Sequence, residues 1–175
     1  LKHILNKEKI VAMYAPAIAG QFKASSEQLE KALLMAGFSK VYEVAKGADI
    51  TATLEAKEFE ERMARGEKLM TTSCCPAYVR AVHRHVPELD PCISDTKSPM
   101  RYIAELAKKE NPDAVTVFIG PCLAKRREGM DDDNVDYVLS AEELAAYFTA
   151  KNIDLLQIDA EEKHENEKAS KSGRN

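Results

Sequence analysis

Short apolar runs alternate with amphipathic stretches along most of this 175-residue chain. The clearest apolar run covers residues 114–119, and a second covers residues 9–16. Both predict buried strands, because they are short, apolar and bounded by Gly or Pro. Strands that alternate with helices through short links are typical of a parallel α/β sheet. We therefore expect an α/β domain whose mainly parallel sheet has about four strands and is flanked by helices.

Local patterns predict the other elements. Further strands are expected at residues 40–44, 69–73 and 136–140. Ser25 and Gln28 form a capping-box pattern, so a helix is predicted from Ser25 or Ser26 until Gly37 closes it. The stretch before this helix, which contains Gly20, is predicted to be a loop. The remaining helices are predicted at residues 49–65 (with Asp49 as the cap), 76–86, 99–110 and 141–151.

Composition limits the possible functions. Apolar residues make up 45% of the chain and charged residues 31%, which is ordinary for a soluble globular protein. The net charge of −4 predicts no binding to nucleic acid. No window approaches the roughly 20 apolar residues of a membrane span, and a signal-peptide pattern is lacking. The sequence therefore predicts a cytoplasmic protein. We expect a domain at residues 1–158 and a polar tail at residues 159–175. Because the first residue is Leu1 rather than Met, we also expect the chain to be a fragment of a longer protein.

Cysteines follow two of the predicted strands. Cys74 and Cys75 end the strand at residues 69–73, and Cys122 follows the strand at residues 114–119. Functional sites of open parallel sheets gather at the carboxyl ends of the strands, so we expect Cys75 and Cys122 to face the same crevice. Cysteine thiolate is the ligand that iron–sulfur clusters use. A pair of buried, small apolar residues is the alternative interpretation of Cys74 and Cys75.

The two adjacent cysteines, Cys74 and Cys75, are expected to have different roles. Pro76 suits the first position of a helix, which makes Cys75 the N-cap residue. A thiolate there is favoured by the helix dipole. Successive side chains of a strand point to opposite faces, so one cysteine of the pair should bind a cluster and the other should point elsewhere. A thiol beside a redox centre can carry protons.

Charged residues near the cysteines have two interpretations. Lys125 lies three residues after Cys122, where it can stabilise a thiolate or an anionic cofactor; a solvated lysine is the alternative. Glu55 and Glu58 share one face of a predicted helix and can pass protons toward Cys74. The alternative for this carboxylate pair is a solvated acidic face. No glycine-rich nucleotide-binding pattern is present.

Two motifs resemble the catalytic domain of the iron-only ([FeFe]) hydrogenases, which belongs to their large subunit. Thr72-Ser73-Cys74-Cys75-Pro76 resembles the first cluster-binding motif of that family. Pro121-Cys122-Leu123-Ala124-Lys125-Arg126-Arg127-Glu128 resembles the second. Residues 94–99 resemble its Ser-x-x-Lys-Ser-Pro segment, and residues 15–17 and 47–49 match further family features. The chain differs in having Ala77-Tyr78 for Gly-Trp and Gly120 for Met, which suggests a divergent branch.

The resemblance implies roles for individual residues. Cys75 and Cys122 would be two of the four thiolates that hold the four-iron part of the H-cluster, and Cys74 would be the proton-transfer thiol beside the two-iron subsite. Lys125 would hydrogen-bond a cyanide ligand of that subsite. The residues implied in the proton route are Glu55, Glu58, Ser94 and Glu128. Those implied in binding the cofactor are Ala15, Pro16, Ser73 and Pro121.

The family's third motif, Cys-x-x-x-Cys, is missing from the sequence. The resemblance therefore implies the first lobe of a two-lobe domain, whose parent makes, oxidises or senses hydrogen. The implied partners are the second lobe and a ferredoxin-like electron donor, and this chain alone is expected to lack cofactor and activity. A binding or regulatory module without the chemistry is one alternative. A zinc site of Cys75, Cys92 and Cys122 is another, although these spacings fit no standard zinc pattern.

Overall fold

Four parallel strands form the centre of the molecule in a computed structural model that describes residues 9–159. The strands are β1 (Ile10–Tyr14), β2 (Lys40–Glu43), β3 (Val115–Ile119) and β4 (Tyr137–Leu139). Their order in the sheet is β2-β1-β3-β4, with Val11 opposite both Lys40 and Thr116. Every residue of β1 is buried, as expected for a central strand covered on both faces. The predicted α/β fold with a parallel sheet of about four strands is confirmed.

Helices cover both faces of this sheet. They are α1 (Ala17–Phe22), α2 (Ser26–Met35), α3 (Ala45–Ala64), α4 (Pro76–His85), α5 (Pro99–Glu110), α6 (Ala124–Met130) and α7 (Ala141–Ala150). Single 3₁₀ segments occur at Pro87–Cys92 and Leu155–Gln157. Because side chains of a strand alternate between faces, Tyr14 packs in a core with Leu33 and Leu144, whereas Met13 packs in a second core with Ile103. None of the helices within residues 9–159 is long and apolar enough to cross a membrane.

Several helix boundaries follow from local chemistry, as predicted. Ser25 and Gln28 form the reciprocal bonds of a capping box at the start of α2. Pro76 and Pro99 occupy the first positions of α4 and α5. These positions need no tertiary information, because the residue itself satisfies or removes an unpaired amide at the helix start.

The prediction of a sheet strand at residues 69–73 is wrong. Within that segment only Thr71 pairs with another strand-like residue, in an isolated parallel bridge to Ile93. The Thr71 amide donates to the Cys92 carbonyl at 2.7 Å, and the Ser94 amide donates to the Thr71 carbonyl at 2.8 Å. The segment is polar and Leu69 is exposed, so it cannot replace β1 or β3 in the buried centre of the sheet.

The predicted set of helices also needs three corrections. Helix α3 begins at Ala45, four residues before the predicted cap at Asp49, because the chain turns into the helix directly after β2. The predicted loop around Gly20 contains helix α1. Helix α6 was not predicted. Both missed helices are short, so they carry little of the apolar periodicity that marks a longer helix.

Close packing holds the start of α3 against α5. A Cβ atom on Gly47 would lie 2.2 Å from the carbonyl oxygen of Pro99, which is the first residue of α5. Glycine at this position therefore allows the two helices to approach. Thr51 adds a hydrogen bond of 3.2 Å from its hydroxyl to the Lys97 carbonyl. These contacts fix α3, which carries Glu55 and Glu58, relative to residues 94–98. The predicted polar tail at residues 159–175 lies outside the described residues, except for Asp159.

Candidate functional site

The first cysteine motif lies directly before α4. Cys75 is the N-cap residue of this helix, as predicted, with extended backbone angles of φ −103° and ψ 104°. Its sulfur accepts no capping hydrogen bond from the amides of α4. The Cys75 side chain is exposed and Cys74 is partly buried. The exposed Cys75 sulfur is therefore available to an external ligand.

The second cysteine motif follows β3. The strand ends at Ile119, Cys122 is exposed, and α6 begins at Ala124. The Lys125 amide donates to the Cys122 carbonyl at 3.2 Å, which places Lys125 one turn after the cysteine. Cys122 therefore lies at the carboxyl edge of the sheet, where functional sites of open parallel sheets gather.

Lys125 connects the two cysteine motifs. Its Nζ atom donates to the Cys74 carbonyl at 3.3 Å and to Oε2 of Glu128 at 2.5 Å. The side chains of Lys125 and Glu128 are each 13% exposed, so this ion pair is largely sheltered from solvent. The interpretation of Lys125 as an isolated solvated lysine is wrong, because its ammonium group holds residues from both motifs.

Glu55 contacts the first cysteine motif. Its Oε1 atom accepts hydrogen bonds from the Thr72 hydroxyl at 2.6 Å and from the Ser73 amide at 3.2 Å. The Thr72 hydroxyl oxygen also accepts a hydrogen bond from the Cys74 amide at 3.3 Å. A chain of polar contacts thus leads from Glu55 to the backbone of Cys74.

Glu58 lies one helical turn further and binds a different segment. It accepts hydrogen bonds from the Ser94 hydroxyl at 2.5 Å, the Asp95 amide at 3.0 Å and the Thr96 hydroxyl at 3.1 Å. Partial burial raises the pKa of the Glu58 carboxyl group, but these hydrogen bonds and Arg62 outweigh burial and lower that pKa below its ordinary value. The interpretation of Glu55 and Glu58 as a solvated acidic face is therefore wrong.

Arg62 supports Glu58 and was not predicted as a site residue. The Arg62 side chain is 8% exposed and its guanidinium group lies 2.7 Å from Oε1 of Glu58. It also donates to the carbonyls of Pro91 at 2.8 Å and Ile93 at 3.0 Å. The available signal was the spacing of four residues between Glu58 and Arg62, which is typical of a helical ion pair. The contacts to Pro91 and Ile93 depend on the tertiary fold.

The residues with predicted cofactor contacts lie near the same edge of the sheet. The Ala15 amide donates to the carbonyl of Ile119, the last residue of β3, at 2.8 Å. Pro16 follows as the N-cap residue of α1, and Pro121 is exposed beside Cys122. The Ser73 hydroxyl donates to the Thr96 carbonyl and so connects the first motif to residues 94–98.

A cavity of 410 Å³ lies between α4, residues 93–98 and α6. Three of the residues identified from the sequence line it: Ser73, Ser94 and Glu128. Ser98 also lines the cavity, and its buried hydroxyl oxygen has no hydrogen-bond partner among the residues that the structure describes. The cavity thus brings together three predicted site residues from distant parts of the sequence, and none of the four cysteines is among its lining residues.

The donor set fits an iron–sulfur cluster in chemistry but supplies only part of its ligands. Cys75 and Cys122 are exposed free thiols, and clusters of this kind are held by four thiolates. Within residues 9–159 there is no group of three or more His, Cys, Asp or Glu side chains placed to hold a metal ion. The zinc alternative with Cys75, Cys92 and Cys122 therefore has no structural support.

Comparison with known proteins gives consistent matches. The family model described as the iron-only hydrogenase large subunit, C-terminal domain, matches residues 8–175. The periplasmic [Fe] hydrogenase large subunit of Nitratidesulfovibrio vulgaris is 29% identical over 179 residues, which cover 87% of this chain and 42% of that protein. Iron hydrogenase 1 of Clostridium pasteurianum is 31% identical, with 75% of this chain and 26% of that protein covered. The chain thus spans less than half the length of these relatives.

Solved structures of hydrogenases share the fold. An [FeFe]-hydrogenase variant from Chlamydomonas reinhardtii matches with a TM-score of 0.80 and 27% identity, over 98% of this chain and 51% of that one. A structure reported for stepwise [FeFe]-hydrogenase H-cluster assembly matches with a TM-score of 0.82 and 26% identity, over 98% of this chain and 51% of that one. The cytosolic Fe-S cluster assembly factor of Kluyveromyces lactis is also similar, at 31% identity over 108 residues, which cover 60% of this chain and 22% of that protein.

Proposed function

Because this chain belongs to the family of iron-only hydrogenases, within the C-terminal domain of their large subunit, we propose that it forms the first lobe of a hydrogenase-like iron–sulfur oxidoreductase. The reaction of the complete protein is the reversible combination of two protons and two electrons to give molecular hydrogen. The observation that carries this proposal is the position of Lys125, which contacts Cys74 of the first motif and follows Cys122 of the second by one turn.

In this proposal Cys75 and Cys122 hold the cluster from one side. Both thiols are exposed at the edge of the sheet and supply two of the four thiolates that a four-iron cluster needs. A second lobe of the parent protein supplies the other two, and a ferredoxin-like partner delivers electrons. The H-cluster, when bound, supplies the redox-active iron at which protons and electrons combine.

Cys74, Glu55, Ser94 and Glu58 move protons in this proposal. Glu58 and the Ser94 hydroxyl form one hydrogen-bonded pair, and Glu55 with Thr72 leads to Cys74. The two glutamates lie on one face of α3, one turn apart. The hydrogen bonds of Glu55 and Thr72 lead to the backbone amide of Cys74, and in this proposal the thiol of the same residue carries the proton onward.

Lys125 and Glu128 control charge beside the cysteines. The Lys125 ammonium group lies where an anionic, thiolate-bound cofactor would need a positive charge. Glu128 accepts a hydrogen bond of 2.5 Å from that ammonium group, which holds it in place. Both residues are positioned by α6, which begins two residues after Cys122.

A second candidate function is cluster binding without hydrogen turnover. The assembly factor of Kluyveromyces lactis matches the same chain as the hydrogenases do, so the scaffold occurs in proteins whose names describe Fe-S cluster assembly. A hydrogen-sensing or regulatory module belongs to this class. It keeps the ligands Cys75 and Cys122 but has no need for the proton route through Glu55 and Glu58.

Hydrogen production separates these two candidates. The chain is combined anaerobically with the part of the Nitratidesulfovibrio vulgaris hydrogenase that it does not match, and the complex is loaded with the H-cluster. We expect hydrogen production from a reduced electron donor, with a loss of about 100-fold or more in Cys74→Ser and no loss in Cys92→Ser. A loaded complex that makes no hydrogen would contradict the proposed hydrogenase reaction and favour cluster binding alone. Equal activity of Cys74→Ser and the wild type would overturn the proton-carrying role.

A further inference from the structure

The 410 Å³ cavity between α4, residues 93–98 and α6 has no role of its own in the proposed reaction. None of the four cysteines, all of which lie within the described residues, lines this cavity, and neither does Lys125. Its volume lies within the range of pockets that hold small organic molecules. The cavity is therefore a candidate site for a ligand other than the cluster.

Ser98 places a buried hydroxyl group on the wall of this cavity. The residue is 2% exposed, and its Oγ atom has no hydrogen-bond partner among the residues that the structure describes. Ser98 is also the N-cap residue of α5, where a serine hydroxyl ordinarily accepts a hydrogen bond from an amide of the first turn, but its side chain forms no such bond. A buried hydroxyl without a partner costs free energy, so Ser98 points to a ligand that supplies the partner.

Arg80 lines the same cavity as a cation without an ion pair in the part of the chain that the structure describes. It is exposed and lies on α4. Because the planar guanidinium group of arginine can hold a carboxylate through two parallel hydrogen bonds, Arg80 can bind one such group. The other charged side chains of the cavity all pair with residues other than Arg80: His83 with Asp90, Asp95 with Arg62, Lys97 with Glu105, Arg101 with Asp132, Arg127 with Asp131, and Glu128 with Lys125.

Apolar side chains complete the lining. Pro76 and Val79 come from α4, Ile93 from the segment before α5, and Ala124 from the start of α6. These groups favour a ligand with an apolar body over a bare inorganic anion, which would leave them without contacts. One unpaired cation, one unpaired hydroxyl group and an apolar wall together match a small organic molecule that carries a single carboxylate.

We propose that this cavity binds a small organic monocarboxylate. Arg80 holds the carboxylate, and the Ser98 hydroxyl donates a hydrogen bond to an oxygen atom of the ligand. All the residues that line the cavity lie between positions 73 and 131, so this chain supplies the whole site. The site is independent of the proposed function, because none of the proposed cluster ligands belongs to it.

Calorimetric titration of the chain with benzoate tests this site. Benzoate carries one carboxylate on a compact apolar ring, and benzamide is its neutral counterpart of nearly the same shape. We expect saturable binding of about one benzoate per chain, whereas benzamide and inorganic phosphate should each bind roughly tenfold or more weakly. Benzoate should also raise the midpoint of thermal unfolding, because it binds only the folded chain.

Two variants test the polar contacts. Arg80→Gln should weaken benzoate binding roughly tenfold or more, and Ser98→Ala should weaken it about threefold to tenfold. Arg84→Gln is the matched control, because Arg84 is also exposed on α4 but does not line the cavity, and it should bind benzoate like the wild type. Cooperative thermal unfolding of each variant separates lost binding from lost folding.

Three results would overturn the proposal. The first is the absence of saturable benzoate binding to the wild-type chain. The second is equal binding of benzamide or phosphate, which would show that the cavity does not select an organic carboxylate. The third is unchanged benzoate binding in either Arg80→Gln or Ser98→Ala, which would show that benzoate binds without the contact that this residue is proposed to make.

Discussion

Ser94 and Glu58 form the hydrogen-bonded centre of the polar part of the site. The Ser94 hydroxyl donates to Glu58 and accepts a hydrogen bond from the Thr96 amide at 3.1 Å. Arg62 completes the group from the other side of Glu58. Because these side chains are largely buried, each lost hydrogen bond leaves a partner without compensation from water.

The hydroxyl of Ser94 can be tested against that of Ser98. Both serines are buried, but the Ser98 hydroxyl has no hydrogen-bond partner among the described residues. Ser94→Ala should lower the free energy of unfolding by about 1–2 kcal/mol. Ser98→Ala should leave it unchanged or raise it by up to about 1 kcal/mol. Urea unfolding of both variants measures the difference, and equal losses would contradict the hydrogen-bond pattern.

The charge of Glu58 makes stability depend on pH. Its pKa in the folded chain lies below the ordinary value of 4.5, so the ionised carboxylate stabilises the fold above that pH. The contribution is lost as pH falls through the lowered pKa of the folded state. Glu58→Gln should therefore be less stable than the wild type at pH 7, by about 1–3 kcal/mol, and this deficit should shrink below about pH 4.5. A deficit that stays constant or grows on acidification would contradict this assignment.

Local chemistry explains which residues of the site were predictable. Pro76 identified Cys75 as an N-cap residue because the signal lies within two adjacent residues. The spacing of Glu55 and Glu58 on one helix was also visible, but their partners were not, since Thr72 and Ser94 are distant in sequence. Arg62 was missed because its carbonyl partners, Pro91 and Ile93, come from a 3₁₀ segment and its following residue.

At the scale of elements, the contact between α3 and α5 positions the carboxylates. Helix α3 carries Glu55 and Glu58, and α5 begins directly after the segment that Glu58 binds. Gly47 is the point of closest approach, because a Cβ atom there would meet the Pro99 carbonyl. The position of Glu55 and Glu58 therefore depends on a packing contact that involves neither of them.

Substitution of Gly47 tests this contact. Gly47→Ala should lower the free energy of unfolding by about 2–3 kcal/mol, because the added methyl group forces the helices apart. Gly20→Ala is the matched control, since no described atom lies within 4 Å of the position that its Cβ would take. It should stabilise helix α1 by about 0.5–1 kcal/mol. Thermal unfolding compares the two, and a neutral Gly47→Ala would contradict close packing at this site.

The elements themselves were predictable in different degrees. Long amphipathic helices and the buried strand β3 have strong sequence patterns, and these were found. The prediction of a sheet strand at residues 69–73 rests on the apolar run that begins at Leu69 and on the helical pattern that follows from Pro76. Their polarity instead leaves them beside residues 92–94, where Thr71 forms the isolated bridge. The sequence pattern alone does not say which of several short segments occupies the limited positions of one sheet.

At the scale of the whole molecule, the parallel sheet explains why distant motifs meet. Strands β1 and β3 are adjacent and point the same way, so the residues that follow them, Ala15 and Gly120 to Cys122, lie at one edge. The first cysteine motif reaches the same edge without a strand of its own, through Lys125. The chain covers about half of its structural relatives.

The most direct test of the proposed site is the dependence of bound iron on individual cysteines. The wild type, Cys75→Ser, Cys122→Ser and Cys92→Ser are each combined with the part of the Nitratidesulfovibrio vulgaris hydrogenase that the chain does not match. They are then loaded anaerobically with a [4Fe-4S] cluster that carries four small thiolate ligands, desalted and analysed for iron and for the cluster's absorption in the visible range. We predict that Cys75→Ser and Cys122→Ser each lose roughly tenfold or more of the iron retained by the wild type, whereas Cys92→Ser retains all of it. Full iron retention by both Cys75→Ser and Cys122→Ser would contradict the assignment of these residues as the cluster ligands.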